Sequence, residues 1–80
     1  MPQSERRTAD QNLIHFGLRL RQLRVGRGLT QKNLVHQAGA HRTVIGFIER
    51  GEREIGVSKL WPLADALAVP VSELFNFSRL

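Results

Sequence analysis

The chain has 80 residues, no cysteine and a formal net charge of +5. That length allows one domain with one small core, and without thiols neither disulfides nor a thiolate metal site can brace it, which suits a reducing cytoplasm. No run approaches the roughly 20 apolar residues of a membrane helix, and residues 1–12 lack the apolar stretch of a signal peptide.

Residues 1–7, MPQSERR, carry no periodicity, so 1–8 are expected to be a flexible arm ahead of a domain over 9–80. Arg6 and Arg7 make that segment either a phosphate-touching extension or simply a disordered terminus. Thr8 followed by Gln11 has capping-box spacing and predicts a first helix from near Ala9. Leu13, Phe16, Leu20 and Leu23 step by three, four and three, the mark of one buried helical face. Arg19, Arg21 and Arg27 fall mainly off that stripe, Gly28 is the expected stop, and Leu29 is expected to turn back toward the core.

The stretch from Thr30 to Gly51, TQKNLVHQAGAHRTVIGFIERG, reads as two short helices broken at Gly39. Thr30 can cap the first, in which Leu34, Val35 and Ala38 recur at helical spacing. Ile45 and Ile48 mark the buried side of the second, predicted over about 42–50. Two such helices form a unit that can seat the second one in a DNA major groove. In that docking mode first-turn side chains meet base edges. Arg42 can then bond guanine, and Thr43 can bond a base or pack on thymine. Gly46 and Phe47 are expected on the same outward face. Gly46 either permits close approach or is a tolerated cost of about 1 kcal/mol. Phe47 either meets thymine methyls and deoxyribose or folds over the core edge or a partner. Lys32, His41, Arg50 and Arg53 are candidates for phosphate contacts. Charge agrees, since residues 13–53 hold eight Arg or Lys against two acids, the footprint a polyanion requires.

Val57, Leu60, Leu63, Ala64 and Leu67 predict a fourth helix, with Ser58 as a possible cap and Pro62 imposing a bend or a late start. Trp61 is expected to be largely buried. After Pro70 a short fifth helix, 71–75, is expected. Val71, Leu74, Phe75, Phe77 and Leu80 are too many apolar side chains for so small a core, so a two-fold dimer interface is expected among them.

The segments LRLRQLRVGRGLTQKNLVHQAG, HRTVIGFIERGER and LADALAVPVSELF, in this order, resemble the phage-repressor/Cro-like (XRE) helix-turn-helix family from about Phe16 to Phe75. Within it, Arg42-Thr43 followed by Ile48-Glu49-Arg50-Gly51 is similar to the controller proteins of restriction-modification systems. The resemblance implies a compact all-α, five-helix domain, a Gln31 lying against the DNA backbone while bracing the recognition helix, and an ion pair between Arg24 and Glu49. His41 at the cap position, Phe47 and Pro62 depart from the family pattern.

Three histidines at wide spacing and no cysteine point away from a metal site, and no phosphate loop, nucleophile elbow or carboxylate pair suggests an enzyme. The expectation is a cytoplasmic homodimer that binds a two-fold symmetric double-stranded DNA operator and regulates transcription, with no cofactor and no small-molecule effector. The alternative is an antitoxin-type or adaptor module whose main partner is a protein.

Overall fold

In the computed structural model the described residues are 2–38 and 42–77, with side chains described for 11–38 and 44–77. Four α-helices are present among them: α1 (Pro2–Gly26), α2 (Gln31–Ala38), α3 (Arg42–Glu49) and α4 (Leu60–Leu67). Short 3-10 helices occupy Val57–Lys59 and Val71–Phe75.

The fifth helix is therefore a 3-10 segment. Five residues behind Pro70 are too few to nucleate an α-helix. Their bonds close after three residues: the Glu73 N–H donates to the Pro70 carbonyl at 3.0 Å and the Asn76 N–H to the Glu73 carbonyl at 3.4 Å. The first helix also departs from expectation, beginning at Pro2 rather than near Ala9, so residues 2–8 are helical. Proline is favoured in a first helical turn because its missing N–H would have no partner there, and nothing from Gln3 to Thr8 breaks a helix.

The core gathers one stripe from each element. Phe16 and Leu20 of α1, Leu34 of α2, Ile45 and Ile48 of α3, Leu60, Leu63, Ala64 and Leu67 of α4, and Leu74 are buried together. A fully buried Leu or Ile stabilises by about 1.5–3 kcal/mol, and six such side chains set the packing of this small domain. α2 packs on α3 and α4, while α1 packs on α3 and on the closing 3-10 segment.

α1 and α3 approach closely because two glycines permit it. A Cβ on Gly17 would collide with the backbone carbonyl oxygens of Ile48 and Glu49. Gly51, at φ +74°, ends α3 in the left-handed region, and a Cβ there would lie 2.6 Å from Ile14 Cγ1. The same stop ends α1: Gly28 has φ +70°, and the Leu29 N–H donates to the Arg24 carbonyl at 3.0 Å.

Pro62 produces the late start rather than a bend. α4 begins at Leu60, so Pro62 lies in its first turn, where its absent N–H costs little. Ser58 is not the cap; it lies within the preceding 3-10 turn. Starting there aligns Leu60, Leu63, Ala64 and Leu67 inward, and Trp61 is turned off that stripe. The residue is 56% exposed, against the expectation of burial.

Candidate nucleic-acid interface

The helix-turn-helix is held by hydrogen bonds that start at the α1–α2 junction. Thr30 and Asn33 cap α2 reciprocally: the Asn33 N–H donates to Thr30 Oγ1 at 3.0 Å, and the Thr30 N–H to Asn33 Oδ1 at 3.2 Å. Two free amides of the first turn are thereby satisfied. Asn33 stands where a capping box carries Glu or Gln, so its part in the cap was readable from spacing alone.

Gln31, the first residue of α2, reaches α3. Its Nε2 donates to Glu49 Oε1 at 3.1 Å. Arg24 approaches the same carboxylate from α1, with Nε donating to Oε2 at 2.6 Å and Nη2 to Oε1 at 3.0 Å. Its remaining nitrogen, Nη1, donates to the Leu29 carbonyl at 2.8 Å. The Arg24 and Glu49 side chains are 12% and 4% exposed. One buried carboxylate thus ties α1, the first residue of α2 and the last residue of α3. Among the described residues no buried side-chain nitrogen or oxygen lacks a partner.

The outer face of α3 differs from the expected row of base-facing groups. Gly46 is buried, not outward. A Cβ there would lie 3.3 Å from Arg50 Nη1 and 3.5 Å from Gln31 Oε1, because those two side chains cross over it. Phe47 is half-buried, and the Arg50 guanidinium carbon sits 5.0 Å from its ring centroid. Arg50 Nε also donates to Glu52 Oε1 at 3.0 Å. Arg42 and Thr43 fall in the first turn of α3, but their side chains, and all of His41 and Gly39, lie outside the described residues. Lys32 and Arg53 are exposed. Arg53 lines a groove of about 350 Å³ with Val44, Ile48 and Lys59, away from the Gly46–Arg50 side of the helix.

Of the expected interface residues, Leu74 is fully buried in the monomer core and is unavailable to a partner. The 3-10 geometry turns it under α1 and α4, and leaves Phe75 half exposed against Phe16, ring centroids 5.2 Å apart. Val71 and Phe77 are half-buried, Phe77 stacking on His15 at 5.9 Å. Leu80 lies outside the described residues. Val57, which the spacing had assigned to the core, and Trp61, expected there as an aromatic, are both exposed. A second polar strap was also missed: Arg19 Nη2 donates to Glu73 Oε1 and Nε to the Glu73 carbonyl, both at 2.9 Å. No local pattern links residues 54 positions apart.

Among the described residues, no helix is long and apolar enough to cross a membrane and no group of ligands could hold a metal ion.

The helix-turn-helix family model matches residues 20–74. An uncharacterized transcriptional regulator in the ATPase CF(0) region of Rhodospirillum rubrum is 38% identical over 76 residues, covering 95% of this chain and 70% of that protein. The restriction-modification controller protein C.AhdI from Aeromonas hydrophila is similar in structure, with a TM-score of 0.77 and 41% identity over 79% of this chain and 96% of that one. The controller protein C.Esp1396I, solved as a tetramer in complex with its natural 35 base-pair operator, matches with a TM-score of 0.73 and 26% identity over 80% and 84% of the two chains.

Proposed function

The chain belongs to the helix-turn-helix family of DNA-binding transcriptional regulators, and from that premise we propose that it binds an operator as a cytoplasmic homodimer, with α3 as the recognition helix. Proteins of this family are regulators and not enzymes.

The observation that carries the reading is the buried Arg24–Glu49–Gln31 network. It fixes α3 against α1 and α2 while Arg50 stays exposed at the helix end. In this reading Arg42 and Thr43 supply base discrimination from the first turn of α3. Gln31, Lys32, His41, Arg50 and Arg53 meet phosphates, giving affinity that falls with salt. Phe47, under Arg50, packs at the edge of the contact.

For the dimer, the exposed Val57, Trp61 and Phe75, with half-buried Val71 and Phe77, make the best-supported two-fold surface. A hollow of about 400 Å³ between Leu13, Ile55, Leu60 and Phe75 adjoins it. An isologous contact there would present two α3 helices to successive major grooves.

Selecting bound sites from a randomised duplex pool tests this reading. Related half-sites about one helical turn apart are expected. The exposed Trp61 surface also suits an adaptor whose partner is a protein, and such a protein would give no salt-dependent shift of duplex DNA.

A further inference from the structure

Arg50 is not free in the unbound protein. Its guanidinium folds back on α3, although the side chain remains more than half exposed, and three features hold it there. Glu52 Oε1 accepts from Nε at 3.0 Å, the Phe47 ring lies 5.0 Å beneath the guanidinium carbon, and the missing side chain of Gly46 makes room for Nη1. The ion-paired side chains are 55% and 52% exposed, so water screens the pair and a stronger anion can displace Glu52.

We propose that Glu52 is an intramolecular decoy for DNA phosphate, occupying Arg50 until a duplex replaces it and so lowering affinity for DNA of any sequence. The inference rests on the reading that this face of α3 meets DNA. A carboxylate and a phosphate present the same kind of anionic oxygen to a guanidinium, so the two compete for one cation. When phosphate wins, Glu52 is left unpaired beside a polyanion and draws a cation from solution. That uptake cancels one of the counterions released from the DNA. The cost is the same for an operator and for a random duplex, so both affinities fall by one factor, and only the operator, with its base contacts, keeps enough affinity to stay bound. Gly46 and Phe47 take part by giving the guanidinium a place to lie.

The test measures binding of the full chain to a mixed-sequence duplex over a series of salt concentrations, for the unsubstituted protein, Glu52→Gln, Arg50→Gln and the double variant. Both side chains are exposed, so thermal midpoints are expected to stay together and report intact folding. Glu52→Gln is expected to tighten binding several-fold at low salt and to steepen the salt slope by about one unit. In the Arg50→Gln background the same substitution is expected to give a clearly smaller gain, since there only the repulsion between Glu52 and the duplex is relieved and no ion pair has to be broken. An equal gain in both backgrounds overturns the proposal, because Glu52 would then act as a general repelling charge. Weaker binding by Glu52→Gln overturns it too, because Glu52 would then be orienting Arg50 for DNA. Either of those outcomes leaves DNA binding by the unsubstituted protein intact; failure of that protein to bind any duplex removes the underlying reading and the decoy with it.

Discussion

Arg24 meets Glu49 side-on, with two donors on two carboxylate oxygens at 2.6 and 3.0 Å, in a setting where both side chains are almost wholly removed from water. The geometry satisfies the charges mutually, and Gln31 adds a third donor. Stranding one member of such a pair costs about 3–5 kcal/mol. Glu49→Ala is therefore expected to lower unfolding free energy by that order. Glu52→Ala, which removes a half-exposed pair, is expected to change it by less than about 1 kcal/mol. Chemical denaturation of the two variants checks the contrast, and equal effects would show that the buried network does not hold α3.

Two glycines in helices are expected to respond oppositely to alanine. At Gly17 the added Cβ meets backbone carbonyls of α3, which cannot retreat without separating the helices. A loss of at least about 1–3 kcal/mol is expected there, the usual cost of overpacking. At Gly46 the Cβ meets only the terminal side-chain atoms of Arg50 and Gln31, at 3.3 Å or more, which can shift by the few tenths of an ångström needed. The gain of up to about 1 kcal/mol in helix propensity should roughly offset or exceed the crowding. Thermal denaturation of both variants tests this.

Ala68 ends α4 with φ +59°, a left-handed conformation that is strained for a residue with a Cβ. Ala68→Gly is expected to stabilise by up to about 1 kcal/mol, because relief of that strain outweighs the extra freedom glycine gains when unfolded. A lower melting temperature would contradict the assignment of strain at this cap.

Which apolar residues enter the core was only partly legible in the sequence. Helical spacing located Phe16, Leu20, Leu34, Ile45, Ile48 and the α4 stripe, because a 3.6-residue period identifies a buried face. It failed at Trp61, where the aromatic type suggested burial but the late start beside Pro62 set the register. Leu74 was set among interface candidates because residues 71–80 hold more apolar side chains than the small core was expected to take, but the 3-10 turn carries it inward. The Arg24–Glu49 pair was legible only through family resemblance. Arg19–Glu73 had no such pointer, since tertiary packing alone brings its partners together. Gly46 was read outward from its position on α3, but side chains from residues 31 and 50 cover it, and no pattern local to the helix shows that.

The dimer assignment separates two neighbouring residues. Phe75→Asp or Trp61→Glu is expected to keep the fold and shift the protein toward monomer in sedimentation, with weaker DNA binding. Leu74→Asp is expected to unfold the domain, because it places a charge where the native side chain has no solvent contact. Folded dimers of both the Phe75 and Trp61 variants would move the interface elsewhere.

Sequence reading by α3 is tested by binding of Arg42→Ala and Arg53→Ala to every single-base variant of a selected operator at two salt concentrations. A bidentate arginine–guanine contact is worth about 1–3 kcal/mol of discrimination. A phosphate contact weakens all sequences alike when lost, and its loss lowers the magnitude of the salt slope by about one unit. Arg42→Ala is expected to relax preference at one base position in each half-site, while Arg53→Ala preserves the ranking of bases and reduces the slope. If Arg53→Ala reorders the bases and Arg42→Ala only scales every affinity, α3 does not dock by its first turn and the account is wrong.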